Sequence, residues 1–411
     1  MERVAKTRLP AAAITAIVVG GMLAACGSSS PGGAAGSGQG RANVTSGCVK
    51  SYSKGVDYFP AKVKPARAAG FEVSYHDSYE VVTVNQPYEG GKPVSYVLVQ
   101  CGTPTPKLTG SLASAEVVAI PVSRVDAEST TQLPDFALLG SVGDLVGVAD
   151  TAQVSTPSVI ARIKARKITQ FEATGTLNTE QVLATAPDLF LTQGVSNSAY
   201  AQLQASGVKV VADADYLAST PLGRAQWIEF VSLFLNKEAQ AVQQYDKIAS
   251  SYDRLVALAA KVTTRPTTLE GDQYKGTWYA AGGASYVGAE LRDAGADYVF
   301  ASDHSTGSLN LSMETILQQG TQAQFCVDAD DGSYTSIKQA YTVDPRYRQL
   351  ACFRNGNVWE YTKDVNSGGG NDYFEEGVVR PDLVLGDLIA IFHPSLEPHH
   401  VFTFYQKVPA G

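Results

Sequence analysis

Positive charge is scarce in this sequence, which has 32 lysines and arginines against 40 aspartates and glutamates and a formal net charge of -8. No run of basic residues occurs. Sequence-independent binding of nucleic acid needs many cations that neutralise phosphates, so we exclude nucleic acid as a partner. The same deficit makes an anionic membrane surface an unsuitable partner for the folded part of the chain.

Histidine is also rare, and the five residues are spread over 411 positions: His76, His304, His393, His399 and His400. Neither an H-E-x-x-H nor a C-x-x-C motif is present, so the common zinc and redox-thiol sites have no basis in the sequence. We expect these histidines to be surface residues rather than ligands, and we predict no metal centre and no cofactor.

Two segments imitate part of a catalytic-serine motif, and neither is complete. Residues 51–54 read S-Y-S-K without the S-D-N and K-T-G motifs that accompany it, and residues 283–287 read G-A-S-Y-V without the final glycine of a nucleophile elbow. We therefore predict that the protein is not an enzyme. A secreted serine hydrolase and a structural or adhesive lipoprotein remain as alternatives.

Residues 1–25 have the pattern of a secretory signal peptide, with Arg3, Lys6 and Arg8 before an apolar run that ends in small residues. Because a cysteine follows at the cleavage site, the segment resembles the lipobox of bacterial lipoproteins, which implies lipid attachment at Cys26 and a position on the outer face of the cell membrane. An ordinary signal peptide with an incidental cysteine is the alternative. Residues 26–47, rich in glycine and serine, are expected to be a flexible tether.

The other four cysteines are even in number, as expected in an oxidising compartment. Four cysteines allow three pairings. Cys48 and Cys101 lie close in sequence in the first half of the chain, and Cys326 and Cys352 lie close in the second half. We therefore predict the disulfides Cys48–Cys101 and Cys326–Cys352.

The folded part of the chain has two kinds of hydrophobic pattern. In residues 48–111, which we predict to be a β-rich N-terminal segment, two alternating stretches at 79–84 and 95–99 flank a loop with glycine and proline and predict a hairpin. In residues 112–235 and again in 264–411, short apolar strands alternate with helical stretches. This alternation predicts two α/β lobes, each with a parallel sheet covered by helices on both faces.

One long helix is predicted between the lobes, within residues 236–263. Tyr245, Ile248, Tyr252 and Leu255 recur at steps of three or four, and no glycine or proline interrupts them. A helix of about 25 residues is about 37 Å long, which is enough to join two lobes.

A series of motifs runs through both lobes in a familiar order. They are LNTEQVL at 177–183, APDL at 186–189, TPLGRAQWIEF at 220–230, DAGA at 293–296, RNGNV at 354–358 and RPDLVLGDL at 380–388. Together they resemble the substrate-binding lipoproteins of ABC importers for iron chelates and cobalamin, the class III periplasmic binding proteins. The resemblance spans residues 117–405. The order of the motifs over both lobes supports it more strongly than any single motif does.

The resemblance implies a fold of two α/β lobes joined by one rigid helix, in agreement with the hydrophobic pattern. It implies a monomer without catalytic activity that captures a small-molecule metal chelate and delivers it to an ABC permease and its ATPase. A ferric siderophore is the leading ligand, and cobalamin or haem is the alternative.

The ligand site is expected in loops that follow the strands, because ligands of open α/β sheets bind beyond the carboxyl ends of the strands. Aromatic platforms with a few polar groups suit a bulky chelate. Our preferred platforms are Trp278, Tyr279 and Tyr373, with packing inside the lobe as the alternative for the first two. Arg380 is expected to contact an anionic chelate or, alternatively, to pair with a carboxylate at a helix start. The candidate ligand-binding residues are Ser129, Thr130, Thr131, Ser196, Asn197, Tyr274, Lys275, Trp278, Tyr279, Asp330, Tyr373 and Arg380.

A second set of candidate residues concerns docking to the permease. In the family that the chain resembles, an acidic residue on each lobe pairs with arginines of the permease. Glu180 and Glu314 begin helices at equivalent positions of the two lobes and are the candidates here. The alternative is a glutamate that merely stabilises a helix N-terminus, an effect of about 0.3–1 kcal/mol.

Overall fold

The computed structural model describes residues 42–65, 70–328 and 334–411. The predicted signal peptide, the predicted lipidation site Cys26 and the candidate ligand residue Asp330 lie outside these ranges. Within them, no helix combines the length and the apolarity that crossing a membrane requires.

A four-stranded sheet precedes the first lobe. Its strands are β1 (Phe71–Tyr75), β2 (Tyr79–Val84), β3 (Val94–Gln100) and β4 (Glu116–Ile120). The predicted hairpin is present as the antiparallel pair β2–β3, but the sheet is larger than predicted, because β1 joins one edge and β4 joins the other in parallel. The apolar run at β4, which the sequence assigns to the first lobe, thus belongs to this sheet; periodicity identifies a strand but carries no information about its partner.

One face of the N-terminal sheet packs into the main hydrophobic core. It contributes Val82, Leu98 and Ile120, and Phe71 packs against Trp227 with ring centroids 5.3 Å apart. The predicted disulfide Cys48–Cys101 is present and ties the preceding segment to the end of β3.

The first lobe contains a parallel sheet in the order β11-β10-β5-β6-β7, and a small hairpin, β8–β9, stands beside it. The helices cover the sheet as the alternating pattern predicts. The strands are β5 (Val125–Ala127), β6 (Leu145–Val148), β7 (Thr169–Gln170), β8 (Glu172–Ala173), β9 (Thr176–Leu177), β10 (Leu189–Thr192) and β11 (Val210–Ala212). The helices are α1 (Leu133–Leu138), α2 (Pro157–Lys164), α3 (Thr179–Thr185), α4 (Ser198–Ala205), α5 (Pro221–Ala225) and α6 (Trp227–Leu235).

The predicted linking helix is α7 (Glu238–Ala259), which has 22 residues and a length of about 33 Å at 1.5 Å per residue. It is separated from the fully buried α6 by Asn236, whose φ of 53° ends that helix in the left-handed conformation. The residues with helical spacing, among them Tyr245, Ile248 and Tyr252, form the buried face of α7. The chain passes from the first lobe to the second through this helix.

The second lobe repeats the architecture. Its main sheet has the order β15-β12-β17-β18-β19, in which β19 alone is antiparallel to its neighbour, and a three-stranded antiparallel sheet, β13-β14-β16, is inserted after β12. The predicted disulfide Cys326–Cys352 links β17 to α11. The strands are β12 (Thr267–Glu270), β13 (Asp272–Tyr274), β14 (Thr277–Ala281), β15 (Asp297–Tyr298), β16 (Ser308–Ser312), β17 (Phe325–Val327), β18 (Val358–Glu360) and β19 (Gln406–Lys407). The helices are α8 (Tyr286–Asp293), α9 (Met313–Gln319), α10 (Ile337–Val343), α11 (Ala351–Arg354), α12 (Glu376–Val379) and α13 (Pro381–Phe392).

Candidate ligand-binding cleft

A cavity of about 730 Å³ lies between the two lobes. Thr130 and Gln153, which follow β5 and β6, form one wall. The other wall consists of residues that follow β17, residues at and after the end of β18, and residues at and after β19. The carboxyl ends of the strands of both lobes therefore face each other across this space. It is lined by Thr130, Gln153, Tyr334, Thr335, Glu360, Tyr361, Thr362, Val365, Gly369, Gly370, Asn371, Phe374, Gln406 and Pro409.

The wall of the first lobe is a short, pre-organised turn. The hydroxyl of Ser129 accepts a hydrogen bond from the backbone N–H of Thr131 at 3.3 Å, and the two hydroxyls of these residues lie 2.9 Å apart. The side chain of Gln132 fixes the turn to the sheet by donating to the carbonyl of Thr192 at 2.8 Å. Of the three candidates on this turn, Thr130 lines the cavity.

The wall of the second lobe is aromatic. Tyr361 stacks on Tyr373 with ring centroids 4.5 Å apart, and Phe374 meets Tyr361 edge-on at 5.1 Å. Phe374 is 44% exposed and lines the cavity, whereas Tyr373 is 6% exposed and supports Tyr361 from behind. The loop 366–374 after β18 is one that the sequence indicates, because ligands bind beyond the carboxyl ends of strands, but Phe374 is not among the candidate residues chosen from it. Tyr361 was missed, although it directly follows β18.

A glycine-rich loop of the second lobe touches the first lobe. The amide of Gln153 donates to the carbonyl of Gly368, and the amide of Asn366 donates to the carbonyl of Val154, both at 2.9 Å. A Cβ at Gly370 would lie 2.0 Å from the carbonyl oxygen of Gln153. Glycine is therefore required here, because it lets the backbones of the two lobes approach closely.

A buried carboxylate closes the adjacent contact between the lobes. Glu375 accepts hydrogen bonds from the backbone N–H groups of Ser155 and Thr156 at 2.8 and 2.6 Å, and from the hydroxyl of Thr156. These donors precede α2, so a residue of the second lobe caps a helix of the first. Burial raises the pKa of Glu375 to about 7, although its three hydrogen bonds oppose the shift.

A second polar contact lies deeper between the lobes. Arg224 of the first lobe pairs with Asp215 at 2.9 Å, and its guanidinium lies 4.4 Å from the ring centroid of Tyr286 in the second lobe. Glu290 is nearby, and burial raises its pKa to about 8. Arg224, Tyr286 and Glu290 line a cavity of only about 10 Å³, so this region is packed rather than open to a chelate.

Carboxylates lie beneath the aromatic wall. The charges of Asp328, Asp272 and Glu270 add to burial in raising the pKa of Tyr361. Its phenol therefore stays protonated at neutral pH and can donate a hydrogen bond to a ligand. The described residues contain no group of three or more His, Cys, Asp or Glu side chains arranged to hold a metal ion.

Several other candidate ligand residues that the structure describes do not line this cavity. Ser196 and Asn197 are at the start of α4, where the side chain of Asn197 caps the helix by accepting from the N–H of Ala199 at 3.0 Å. Arg380 pairs with Asp382 at 2.8 Å. Pairing with a carboxylate at a helix start is the alternative that the sequence offers for this residue.

The hairpin β13–β14 separates its aromatic residues. Tyr274 and Tyr279 are 48% and 38% exposed, and the ammonium of Lys275 lies 4.7 Å from the ring centroid of Tyr274. Trp278 is fully buried, and its indole N–H donates to the carbonyl of Glu270 at 3.1 Å. Trp278 therefore packs inside the lobe and has no free face for a ligand.

The two candidate docking residues occupy equivalent places. Glu180 is in the first turn of α3 and Glu314 in the first turn of α9, and both are exposed. Hydrogen bonds from the backbone N–H of Glu314 and from Ser312 lower the pKa of Glu314. A guanidinium nitrogen of Arg346 lies 3.4 Å from Glu314, which remains accessible beside it.

Comparison with known proteins agrees with this architecture. The family model described as "Periplasmic binding protein" matches residues 127–365. An uncharacterized lipoprotein of Methanocaldococcus jannaschii is 24% identical over 291 residues, which cover 68% of this chain and 67% of the relative.

Two solved structures share the fold. The periplasmic heme-binding protein RhuT from Roseiflexus sp. RS-1 matches with a TM-score of 0.53 and 17% sequence identity. The match covers 67% of this chain and 99% of the RhuT chain. A possible iron-binding periplasmic solute-binding protein from Staphylococcus epidermidis matches with a TM-score of 0.51 and 20% sequence identity. The match covers 66% of this chain and 98% of the Staphylococcus chain.

Proposed function

Because the chain belongs to the periplasmic binding protein family, we propose that it is the substrate-binding subunit of an ABC importer and captures an iron chelate between its lobes. The family consists of extracytoplasmic solute-binding proteins and not of enzymes, which agrees with the incomplete catalytic motifs. The observation that carries the proposal is the cavity of about 730 Å³ between the facing strand ends. Its volume is in the range of small-molecule sites, which is about 300–1,000 Å³.

The chemistry of the lining supports a bulky, partly apolar guest. Tyr361 and Phe374 offer aromatic surface, while Thr130, Gln153 and Asn371 offer hydroxyl and amide groups that can bind ligand oxygens. A ferric siderophore fits this combination. Haem is the second candidate, since a structural neighbour is a heme-binding protein by its description, and cobalamin is the third.

Delivery of the ligand requires an anchor and a docking surface. We assign lipid attachment to Cys26 and permease contacts to Glu180 and Glu314, whose equivalent exposed positions on the two lobes suit a partner that touches both. The stiffness of α7 limits the expected lobe closure to a small hinge motion.

The test is a titration of the purified full-length chain with ferric siderophores of several classes, haem and cobalamin, followed by tryptophan fluorescence. Trp359 immediately precedes the cleft residue Glu360 and is half-buried, so it provides a local signal. Saturable binding of an iron chelate with one site per chain supports the proposal. Binding of haem or cobalamin alone assigns the ligand to the alternatives, and binding of none of the compounds overturns the proposal.

A further inference from the structure

We propose that Asp387 is a positioning residue for ligand capture, because it holds the backbone of residues 400–409, which we call the wall segment. Asp387 does not line the cavity between the lobes, whereas Gln406 of the wall segment does. Asp387 therefore acts on the guest through Gln406. The inference rests on the proposed function and deepens it, since it names a residue outside the cavity on which affinity depends.

The wall segment forms part of the cleft. It contributes Gln406 and Pro409 to the lining of the cavity, and both residues are exposed. The side-chain amide of Gln406 donates to the hydroxyl of Thr362, another lining residue, at 3.0 Å. A shift of the wall segment thus changes the shape and the hydrogen-bonding groups of the site directly.

Regular secondary structure fixes the wall segment at few points. Its strand β19 has only two residues, which pair with Trp359 and Glu360 of β18. The backbone N–H of Val408 adds a hydrogen bond to the carbonyl of Val358 at 2.9 Å. Residues 400–405 belong to neither a helix nor a strand, so their position depends on contacts of another kind.

Asp387 supplies these contacts. Its side chain is fully buried, and Oδ2 accepts hydrogen bonds from the consecutive backbone N–H groups of Thr403, Phe404 and Tyr405 at 3.0, 2.7 and 3.0 Å. Oδ1 accepts from the N–H of Thr403 at 3.0 Å and lies 2.5 Å from Nε2 of His400. Hydrogen bonds to a charged acceptor are about twice as strong as neutral ones, so one side chain fixes the part of the wall segment that precedes β19.

The helix that carries Asp387 is a firm base for this contact. All residues of α13 except Leu383 are buried, and the helix packs against α7. Gly386, next to Asp387, leaves room for His400, since a Cβ there would lie 3.1 Å from Cε1 of the imidazole ring. The wall segment is thus tied to the linking helix through α13.

The same contact supports the aromatic wall of the cleft. Tyr405 is buried and lies edge-on to Tyr361 and Tyr373, with ring centroids 6.4 and 6.0 Å apart. Phe404 meets Tyr373 edge-on at 6.1 Å. Release of the backbone at these two positions would move the rings behind Tyr361 as well as the lining residue that follows them.

The experiment measures the affinity of full-length variants for one probe. The probe is the compound that the wild type binds most tightly among a ferric trihydroxamate, a ferric tris-catecholate, haem and cobalamin. Asp387→Asn is nearly isosteric but offers one oxygen, and its NH₂ group faces N–H donors, so we expect affinity to fall by about threefold or more. Asp387→Leu offers no acceptor, and we expect a loss of at least about tenfold.

A double-mutant cycle with Gln406→Ala tests whether Asp387 acts through Gln406. On its own, Gln406→Ala removes a lining amide and is expected to weaken binding by about threefold. Combined with Asp387→Leu it should cause a smaller further loss, because a displaced side chain already contributes less. A residue that only stabilises the fold would lower the unfolding temperature and leave the two effects on affinity additive.

Asp188→Asn is the matched control. Asp188 also accepts from consecutive backbone N–H groups, those of Ser123 and Arg124, at 2.9 and 3.0 Å. These residues precede β5 and do not line the cavity. The control should therefore bind the probe with the affinity of the wild type.

Thermal unfolding verifies that each variant is folded, and the cycle is built on Asp387→Asn if the leucine variant does not fold. Unchanged affinity in folded Asp387→Asn overturns the positioning role, and additive losses in the cycle overturn the action through Gln406. Both results leave a chelate receptor in place. Binding of none of the four compounds by the wild type overturns the proposed function and this inference with it.

Discussion

Glu375 of the second lobe accepts a hydrogen bond from the backbone N–H of Thr156 in the first lobe, with a donor–acceptor distance of 2.6 Å. Glu375 is 1% exposed, and its carboxyl group also accepts hydrogen bonds from the hydroxyl of Thr156 and the N–H of Ser155. A single side chain thus satisfies three donors at the start of α2 from across the cleft. Together with α7 and the hydrogen bonds of the glycine-rich loop, this contact connects the two lobes.

Removal of this carboxyl group is expected to destabilise the protein. Glu375→Ala leaves three donors without their partner, and we expect the free energy of unfolding to fall by about 2–4 kcal/mol. Glu375→Gln retains one carbonyl acceptor and should lie between the wild type and the alanine variant. Chemical denaturation measures the change. The neighbouring Glu376, whose side chain is 43% exposed, provides the control; Glu376→Ala should change stability by less than about 0.5 kcal/mol, and an equal loss in both variants would contradict the cap.

Stability is expected to fall as the pH rises from 5 to 8.5. Burial raises the pKa of Glu290 to about 8 and those of Glu270 and Glu375 to about 7. A carboxyl whose pKa is higher in the folded than in the unfolded state contributes stability that is fully present below its unfolded pKa and is lost as the pH rises through the folded pKa. The window for these groups therefore runs from about 4.5 to about 8.

Thermal unfolding across this pH range measures the effect, and Glu290→Gln is the informative variant. Because glutamine does not titrate, the midpoint temperature of the variant should depend less on pH than that of the wild type. A wild-type midpoint that rises steadily between pH 5 and 8.5 would show that these carboxyls are not protonated in the folded protein.

Truncation of the aromatic wall should weaken ligand binding. Phe374 is the exposed ring of the cleft, and we expect Phe374→Ala to weaken the affinity for the bound chelate by roughly tenfold or more, as for a central aromatic contact. Tyr52→Ala removes a ring of similar exposure, 39%, from the N-terminal segment and is the control. Calorimetric titration of both variants compares them, and equal affinities would argue against the cleft as the binding site.

The sequence predicts the parts of the molecule that depend on local pattern. The buried face of α7 follows from the spacing of Tyr245, Ile248 and Tyr252, because an apolar residue at every third or fourth position can bury only one side of a helix. The two disulfides follow from the position of each cysteine pair within one half of the chain.

Features that depend on tertiary contacts are beyond such reasoning. Tyr373 and Phe374 are adjacent, aromatic and both in contact with Tyr361, yet Tyr373 is buried, because it also packs against Phe404 and Tyr405, whereas Phe374 is exposed. The cap of α2 by Glu375 joins residues separated by 219 positions, and no local pattern reports it. The same holds for Gly370, whose need for glycine arises from the backbone of Gln153 in the other lobe.

The N-terminal sheet is expected to protect an edge of the first lobe. The hydroxyl oxygen of Tyr96 on β3 accepts from the backbone N–H of Ala212 on the edge strand β11 at 2.9 Å. Tyr96→Phe leaves this N–H without its partner, so we expect a loss of about 1–2 kcal/mol in the free energy of unfolding. Tyr79→Phe on β2, at a half-buried tyrosine, is the control. Hydrogen exchange at β11 should accelerate in the Tyr96 variant alone, and unchanged exchange there would contradict the role.

Reversal of charge at the two docking residues should abolish uptake without affecting capture. Glu180 and Glu314 lie in the first turns of α3 and α9, and neither lines the cleft, so the double substitution to arginine should leave affinity for the chelate unchanged. Uptake by cells carrying the cognate permease should fall by at least about tenfold, because like charges facing each other across an interface cost several kcal/mol. The double variant Glu72→Arg and Asp297→Arg makes the same change of net charge on exposed strands and should transport normally. Loss of affinity in the purified Glu180 and Glu314 variant would assign these residues to the fold or to the ligand rather than to the permease, and normal uptake would remove them from the docking surface altogether.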